Sequence, residues 1–312
     1  MKKQLVLFLL VLLSVSGFGQ EFNLPINNQY ISDNPFLISA AYAGIGDCWQ
    51  ARATGFQQWI GIDDAPSTQS LSVDGRIADR TGVGAVLFND SNGFTSLKGF
   101  QGSFAHHITL TDYNRQYLSF GFSYKFNQFE IDSSQFNRST DIDGDITASN
   151  HNVDVSVLYR LGSFFLSLNA INLLDKSLTD FGIQEPGDIT TYYAYTGFVI
   201  KDDFKDLEYE PSILYRSFSF DTRSSLDLNF KFRKFFREDY VWGGLSLQSL
   251  VDQSFSPVNL SPMIGINKSK FYFAYSYQLN LNESIDLGSG GSHLLTIGID
   301  FACKRSYCGC TL

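Results

Sequence analysis

Three aspartates at alternate positions are the first residues whose spacing could do chemistry. Asp141, Asp143 and Asp145 lie in TDIDGDITASN, and clustered carboxylates are ligands that calcium prefers. An EF-hand loop has glycine at its sixth position and glutamate at its twelfth. Counted from Asp141, the glycine here is the fourth residue, Gly144, and the twelfth is Asn152. The sequence therefore favours a solvated turn over a calcium loop, and we predict no metal site.

Histidine and serine offer no better basis for catalysis. His106 and His107 are adjacent, so on a strand they point to opposite faces and do not chelate one metal together. Ser292 and His293 are also neighbours of opposite phase, which argues against a lipase-like Ser–His pair. No zinc-protease, nucleophile-elbow, phosphate-loop or dinucleotide motif occurs. We predict no catalytic residue, no cofactor and no enzymatic activity.

The first residues resemble an export signal. Two lysines precede an apolar run from Leu5 to Leu13, and small residues follow at Gly17 and Gly19. This order predicts a secretory signal peptide over residues 1–19. An uncleaved anchor helix is the alternative, but the run is short for a membrane span. The mature chain is therefore expected outside the cytoplasm, where disulfides form.

Composition favours strands and argues against two classes of partner. The chain has 29 Phe, 16 Tyr and 26 Gly, and aromatic and glycine-rich sequences are typical of strands and tight turns. The formal charge of −9 at pH 7 argues against a nucleic-acid or anionic-lipid partner attracted by bulk charge.

Apolar and polar residues alternate in many segments beyond residue 50. In QYLSFGFSYKF, Leu118, Phe120 and Phe122 share one face, while Ser119 and Ser123 share the other. A period of two is the signature of a strand with one apolar face. We count about 14 such strands within 51–302, most near the 9 to 11 residues that cross a bilayer at a tilt.

The connections alternate in length. Long ones at 127–150, 173–189 and 281–290 contrast with tight turns at Leu161–Gly162 and Ser269. Outer-membrane barrels have long external loops, short periplasmic turns and an even strand number, which places both termini in the periplasm. We therefore predict an all-β fold: an antiparallel transmembrane barrel of the outer membrane, surrounded by lipid, over residues 51–302.

The predicted lumen carries charges of both signs, which a soluble core would rarely accept unpaired. A water-filled pore would tolerate them, and so would a plugged lumen. Residues 20–50 have few charges and no clear period, so they form either a plug or a periplasmic strap. By phase, the inward charges include Asp154, Arg160, Asp227, Lys231, Arg233 and Asp300.

Closure of the barrel is expected to bring Cys48 close to the C-terminal cysteines. Cys48 precedes the first strand, whereas Cys303, Cys308 and Cys310 lie in the periplasmic tail of residues 303–312. Closing the barrel pairs the first strand with the last, so Cys48 is expected to form a disulfide with one of the three. Pairing of Cys308 with Cys310 is the poorest choice, because one residue separates them. The spacing lacks the knuckle of a zinc site.

Several short motifs occur along the chain: an NP pair followed by a glycine, a QW pair, ND-x-x-G, and GSH before the last strand. Their residues are Asn34, Pro35, Gly44, Gln58, Trp59, Asn89, Asp90, Gly93, Gly291, Ser292 and His293. In this order the motifs resemble the PorP/SprF family of type IX secretion system membrane proteins. The resemblance spans nearly the whole mature chain, and GSH and ND-x-x-G are its most specific parts. The sequence departs from the family at Phe56, where an arginine usually precedes the QW pair.

This resemblance implies a function at the cell surface. Family members are expected to support secretion and anchoring of a specific secreted protein, commonly a large adhesin used in gliding or attachment, and other components of the system are further candidate partners. Exposed aromatics in long loops, Phe136 and Phe181, are candidate partner contacts. For His293 we predict a structural role in orienting the last loop. A diffusion channel for small or apolar solutes is the alternative function.

Overall fold

The computed structural model describes residues 24–111, 113, 115–132, 146–175, 189–202, 204–219, 223–281 and 290–303. Several predictions concern residues outside these ranges. They are the signal peptide, Asp141 to Asp145, Phe136, Phe181, Cys308 and Cys310. Within the described part of the chain, no helix has the length and apolar character needed to cross a membrane.

Fifteen strand segments make one antiparallel sheet that closes on itself. The short β9 continues β8 beyond Val199, and both pair with β10, so the barrel has 14 strands, as predicted. The segments are β1 Trp49–Gln57, β2 Ser67–Ala78, β3 Thr81–Asn92, β4 Thr95–Thr111, β5 Gln116–Ile131, β6 Ile146–Leu161, β7 Phe164–Ile171, β8 Thr191–Phe198, β9 Ile200–Asp202, β10 Leu207–Phe218, β11 Ser224–Phe236, β12 Asp239–Leu250, β13 Ser256–Lys268, β14 Phe271–Asn280 and β15 Ser292–Phe301.

The first and last strands close the barrel. β1 and β15 pair from Trp49 opposite Phe301 to Gln57 opposite His293, and we call this junction the seam. Cys48, just before β1, and Cys303, just after β15, therefore lie at one end of the barrel, which we call the terminal rim, and the opposite end is the loop rim. Most strands are within a few residues of the length expected for a crossing, but β4, β5 and β6 are 17, 16 and 16 residues long.

The alternation in sequence becomes an alternation between lipid and lumen. On β15, Leu295 and Ile297 are about half exposed on the outer face, while Thr296 between them is buried in the lumen. The same pattern holds on β5 and β11, so the outer face is largely apolar and the inner wall largely polar. This arrangement confirms the predicted antiparallel transmembrane barrel.

Residues 24–45, here called the inner segment, lie inside the barrel. Nearly all are buried, and they form three one-turn 3-10 helices at Gln29–Ile31, Pro35–Leu37 and Ala40–Tyr42. The last turn packs against β4, β5 and β6. Apolar side chains such as Ile31, Phe36 and Ile38 form the centre of the hydrophobic core, so the core of this barrel lies in its lumen.

Candidate functional site

Motif residues from the two ends of the barrel sequence meet at the loop rim beside the seam. The Trp59 backbone N–H donates to the hydroxyl of Ser292 at 3.3 Å. Ile60 N–H donates to Gly291 O at 3.0 Å, and Gly290 N–H donates to Ile60 O at 2.8 Å. The QW and GSH motifs therefore join the loop 58–66 to the start of β15. Alternation predicts a first strand over 51–59, but β1 ends at Gln57, so Gln58 and Trp59 lie in the loop.

The ND-x-x-G motif holds the other side of loop 58–66. Thr68 donates its hydroxyl to Asp90 at 2.6 Å, and Gly93 N–H donates to Asp64 O at 3.2 Å. Asn89 instead faces outward, and its side-chain amide donates to Gln69 at 2.9 Å. Loop 58–66 is thus hydrogen-bonded to the start of β15 on one side and to the turn between β3 and β4 on the other, and we call it the seam loop.

His293 orders the connection that precedes β15. Its Nε2 lies 3.3 Å from Gly290 O, and because a carbonyl only accepts, this nitrogen carries the proton. Nδ1 then accepts the hydroxyl of Tyr275 at 2.7 Å, and the ring packs edge-on against Tyr277 at 5.1 Å. These contacts agree with an orienting role, which stays a prediction.

The seam loop exposes apolar side chains on a constrained backbone. Trp59, Gly61 and Asp64 all have positive φ, at 44°, 97° and 55°. A bulky residue such as tryptophan rarely adopts this conformation, so the surrounding hydrogen bonds must hold it. Ile60 and Ile62 remain exposed between these positions. The loop therefore presents two isoleucines in a fixed shape.

The remaining motif residues lie in the inner segment rather than at the loop rim. Asn34 donates its amide to Ser72 at 2.8 Å, and Pro35 begins a one-turn helix. Gly44 has φ of 68°, and its N–H donates to the carboxylate of Asp74 at 2.9 Å. A Cβ at Gly44 would lie 2.7 Å from the Cα of Gly82, so only glycine fits.

The inner segment is also held by charge. Asp33 lies at the centre of this clamp and accepts from Lys231 at 2.5 Å, Arg233 at 2.6 Å and Tyr240 at 3.0 Å. Arg233 also pairs with Glu208 on β10. A buried charge is tolerated only with such partners, so these contacts fix the segment against β11 and β12.

All six charges assigned to the lumen by sequence are inward and little exposed. Asp154 pairs with Lys125 at 2.9 Å, and Asp300 pairs with Arg52 at 2.7 Å. Asp227 pairs with Arg216 at 3.0 Å. Arg216, Lys125 and Arg52 each alternate with outward residues, so strand phase indicates that they too face the lumen. Asp33 lies in a segment without a period, and no signal in the sequence indicated its role.

Arg216 also donates to Ile26 O at 2.5 Å. A cavity of about 430 Å³ remains between the inner segment and the wall, lined by charged residues that include Arg160, Lys201 and Glu210. Arg160 stacks over the ring of Tyr117 at 5.1 Å. Across the described ranges, no three His, Cys, Asp or Glu residues are arranged to hold a metal ion.

A disulfide closes the terminal rim of the seam. It joins Cys48, which precedes β1, to Cys303, which follows β15. The sequence left three partners open for Cys48, and the structure contains the pairing with the nearest one along the tail. Barrel closure and this covalent link therefore act at the same junction.

The apolar outer face, polar lumen and closed antiparallel sheet define an outer-membrane β-barrel protein, and the outer membrane is its location. The chain belongs to the PorP/SprF family of type IX secretion system membrane proteins, whose model matches residues 19–299. This result confirms the family predicted from the motifs. The family is a secretion-system membrane barrel and not a known enzyme family, and membership implies association with components of that system.

Solved barrels are similar in fold alone. The monoaromatic hydrocarbon channel CymD is 9% identical over 91% of this chain and 93% of its own, with a TM-score of 0.50. BamA from Haemophilus ducreyi is 8% identical over 81% of this chain and 70% of its own, with a TM-score of 0.44. No curated protein sequence matches the chain.

Proposed function

We propose that this barrel is the outer-membrane partner of one secreted type IX substrate, a large surface adhesin. In this role it supports secretion of the adhesin and anchors it at the cell surface. Family membership supports the assignment to the secretion system. Anchoring of a partner at the cell surface is supported by the filled lumen. The ion pairs of Asp33 hold the inner segment inside the barrel, so a protein partner would bind at the loop rim rather than in the lumen.

The loop rim has features suited to a protein partner. The seam loop offers Ile60 and Ile62, exposed apolar side chains on a fixed backbone. Exposed apolar side chains at a rim are typical of interaction sites. The connections 132–145 and 172–190 join strands at the same rim, and Phe136 and Phe181 within them remain proposed contacts. At the terminal rim, the fully exposed Phe204 is a proposed contact for other secretion components.

The test is to shorten 133–145 and 176–188 together and measure adhesin on intact cells by surface proteomics. Heat-modifiable gel mobility confirms that the barrel is inserted. Tyr113→Ser, at an exposed position between β4 and β5 on the terminal rim, is the matched control for adhesin display. We expect adhesin display to fall in the loop variant while secretion of unrelated substrates continues. Normal adhesin display in a strain that lacks the whole protein would overturn the proposal.

A diffusion channel is the second candidate, favoured by the charged cavity of about 430 Å³ in the lumen. The similar fold of CymD, itself described as a channel, is compatible with this function. Conductance of the purified protein in planar bilayers separates the candidates. The anchoring function predicts closed barrels, whereas steady single-barrel conductance with normal adhesin display would support the channel.

A further inference from the structure

A groove of about 770 Å³ lies on the outer face of the barrel, across β15 and β1 to β5. Its floor is β1, which presents only Ala53 and Gly55 outward at this height. Beyond its chain neighbours, no atom lies within 4 Å of the position that a Gly55 Cβ would take. Leu71 and Leu295 stand on either side, about half exposed. The groove exists because one strand of the wall lacks large side chains.

Strand register arranges the lining in two rows. The lower row, toward the middle of the barrel, runs across paired residues of five strands and is apolar. The upper row, toward the loop rim, is polar apart from its glycine. The lower row is Ala53, Leu71, Leu87, Phe100 and Phe126, and the upper row is Gly55, Gln69, Asn89, Lys98 and Gln128.

This order matches one leaflet of a bilayer. Hydrocarbon chains lie toward the membrane centre and headgroups lie toward water, and the change from apolar to polar side chains marks that boundary on a barrel. The groove crosses the boundary, with leucine and phenylalanine below and amides above. An amphiphile with its chain pointing inward therefore fits, whereas a wholly apolar partner segment leaves the amides unmatched.

The upper row also indicates the charge of the headgroup. Lys98 is the one charged side chain that lines the groove, all of whose lining residues the structure describes. Its side chain is 58% exposed and only loosely paired with Glu130, at 3.6 Å. Lysine side chains reach from apolar surface to the membrane interface in this way. The side-chain amide of Gln128, in the next strand, adds a donor for the same oxygen-rich group.

A second groove on the outer face lacks these features. It measures about 430 Å³ and lies across β8 and β10 to β12, where Ile213, Leu228 and Phe230 line it. No charged side chain lines this groove, whose lining residues are likewise all described. Without a charged side chain, this groove has no preference for one lipid headgroup over another. It therefore serves as a control surface on the same protein.

We propose that the groove beside the seam binds lipid A, the phosphorylated acyl lipid of the outer leaflet. One acyl chain lies over Ala53 and Gly55 between Leu71 and Leu295. A phosphate lies near Lys98 and accepts from its ammonium group and from the neighbouring amides. The volume falls within the roughly 300–1,000 Å³ of small-molecule sites. This site does not depend on the secreted partner.

The test measures lipid A bound to the delipidated full-length protein in detergent by native mass spectrometry. Gly55→Phe fills the floor of the groove, and its side chain meets open space on a strand, so the barrel is expected to fold. We expect this variant to bind lipid A about tenfold more weakly, a loss comparable to displacing a few buried methylene groups. Lys98→Gln should weaken binding several-fold, and Lys98→Arg should retain it.

The second groove supplies the control, because Leu228→Phe enlarges an outward side chain without touching the seam. It should leave lipid A binding unchanged. Unchanged binding in Gly55→Phe would overturn the site, and so would an equal loss in Leu228→Phe. Equal affinity of the wild-type protein for phosphatidylglycerol would overturn lipid A as the occupant. Heat-modifiable mobility confirms folding in every variant.

Discussion

Two parts of the wall hold the same inner segment by different physical means. β11 holds it by charge, through Asp33 and its partners Lys231 and Arg233. β2 and β3 hold it by close backbone approach, where Gly44 meets Gly82. The charged contact requires Asp33 and both cations, because a buried charge left without its partner is destabilising. The backbone contact requires glycine at positions 44 and 82, because a Cβ at either position would clash.

The largest effect is expected on the glycine side. A Cβ at position 82 would lie 1.9 Å from the carbonyl oxygen of Ala43, and because both groups are backbone, neither can move away. Gly82→Val should therefore cost at least ~4 kcal/mol or prevent folding. Urea titration followed by heat-modifiable mobility measures this. The matched control is Gly55→Val, which meets open space, and equal stability of the two variants would contradict the comparison.

The next effect is on the charged side. Asp33→Asn leaves Lys231 buried without its carboxylate, and breaking a buried pair costs roughly 3–5 kcal/mol. We expect the barrel to form but the inner segment to become open to protease. Lys234→Met, at an exposed pair with Asp206, should change stability by less than about 0.5 kcal/mol. Restored protease resistance in Asp33→Asn/Lys231→Met would sharpen the assignment to charge.

A smaller effect is expected at the disulfide. Cys48→Ser should still insert and should lose less than about 2 kcal/mol, below the typical value for disulfides, because the β1–β15 ladder already restrains both ends. Non-reducing peptide mapping of the wild-type protein should recover Cys48 linked to Cys303. Recovery of Cys48 as a free thiol from mature protein would refute the pairing.

The smallest effect concerns the seam loop. His293→Phe keeps an aromatic ring but removes hydrogen bonds to Tyr275 and Gly290, at a cost of about 1 kcal/mol because the site is exposed. Hydrogen exchange of the backbone amides at 290–292 should become faster. His106→Phe, on the outer face of β4, is the control and should leave these amides unchanged. Equal exchange in both variants would argue against an orienting role for His293.

The sequence predicted the wall much better than its contents. Strands follow from alternation, which is local, so boundaries and lumen charges could be assigned residue by residue. The inner segment has no period, and Asp33 lies about 200 residues from Lys231 and Arg233 along the chain. Its place inside the barrel therefore depends on contacts that appear only after closure. The family motifs indicated the residues of the seam loop and the start of β15. Their mutual hydrogen bonds could not be predicted, because they depend on how β1 and β15 pair in the closed barrel.

The position of the inner segment also sets an order of assembly. Synthesis produces residues 24–45 first, but the wall around them is complete only when β15, the last strand, pairs with β1. Until then apolar side chains such as Phe36 and Ile38 are not enclosed by the barrel, and exposed apolar residues favour aggregation. Pairing of β15 with β1 therefore also encloses the inner segment. Cys48 and Cys303 flank the two strands that close the barrel, so their disulfide reports that the β1–β15 junction has formed.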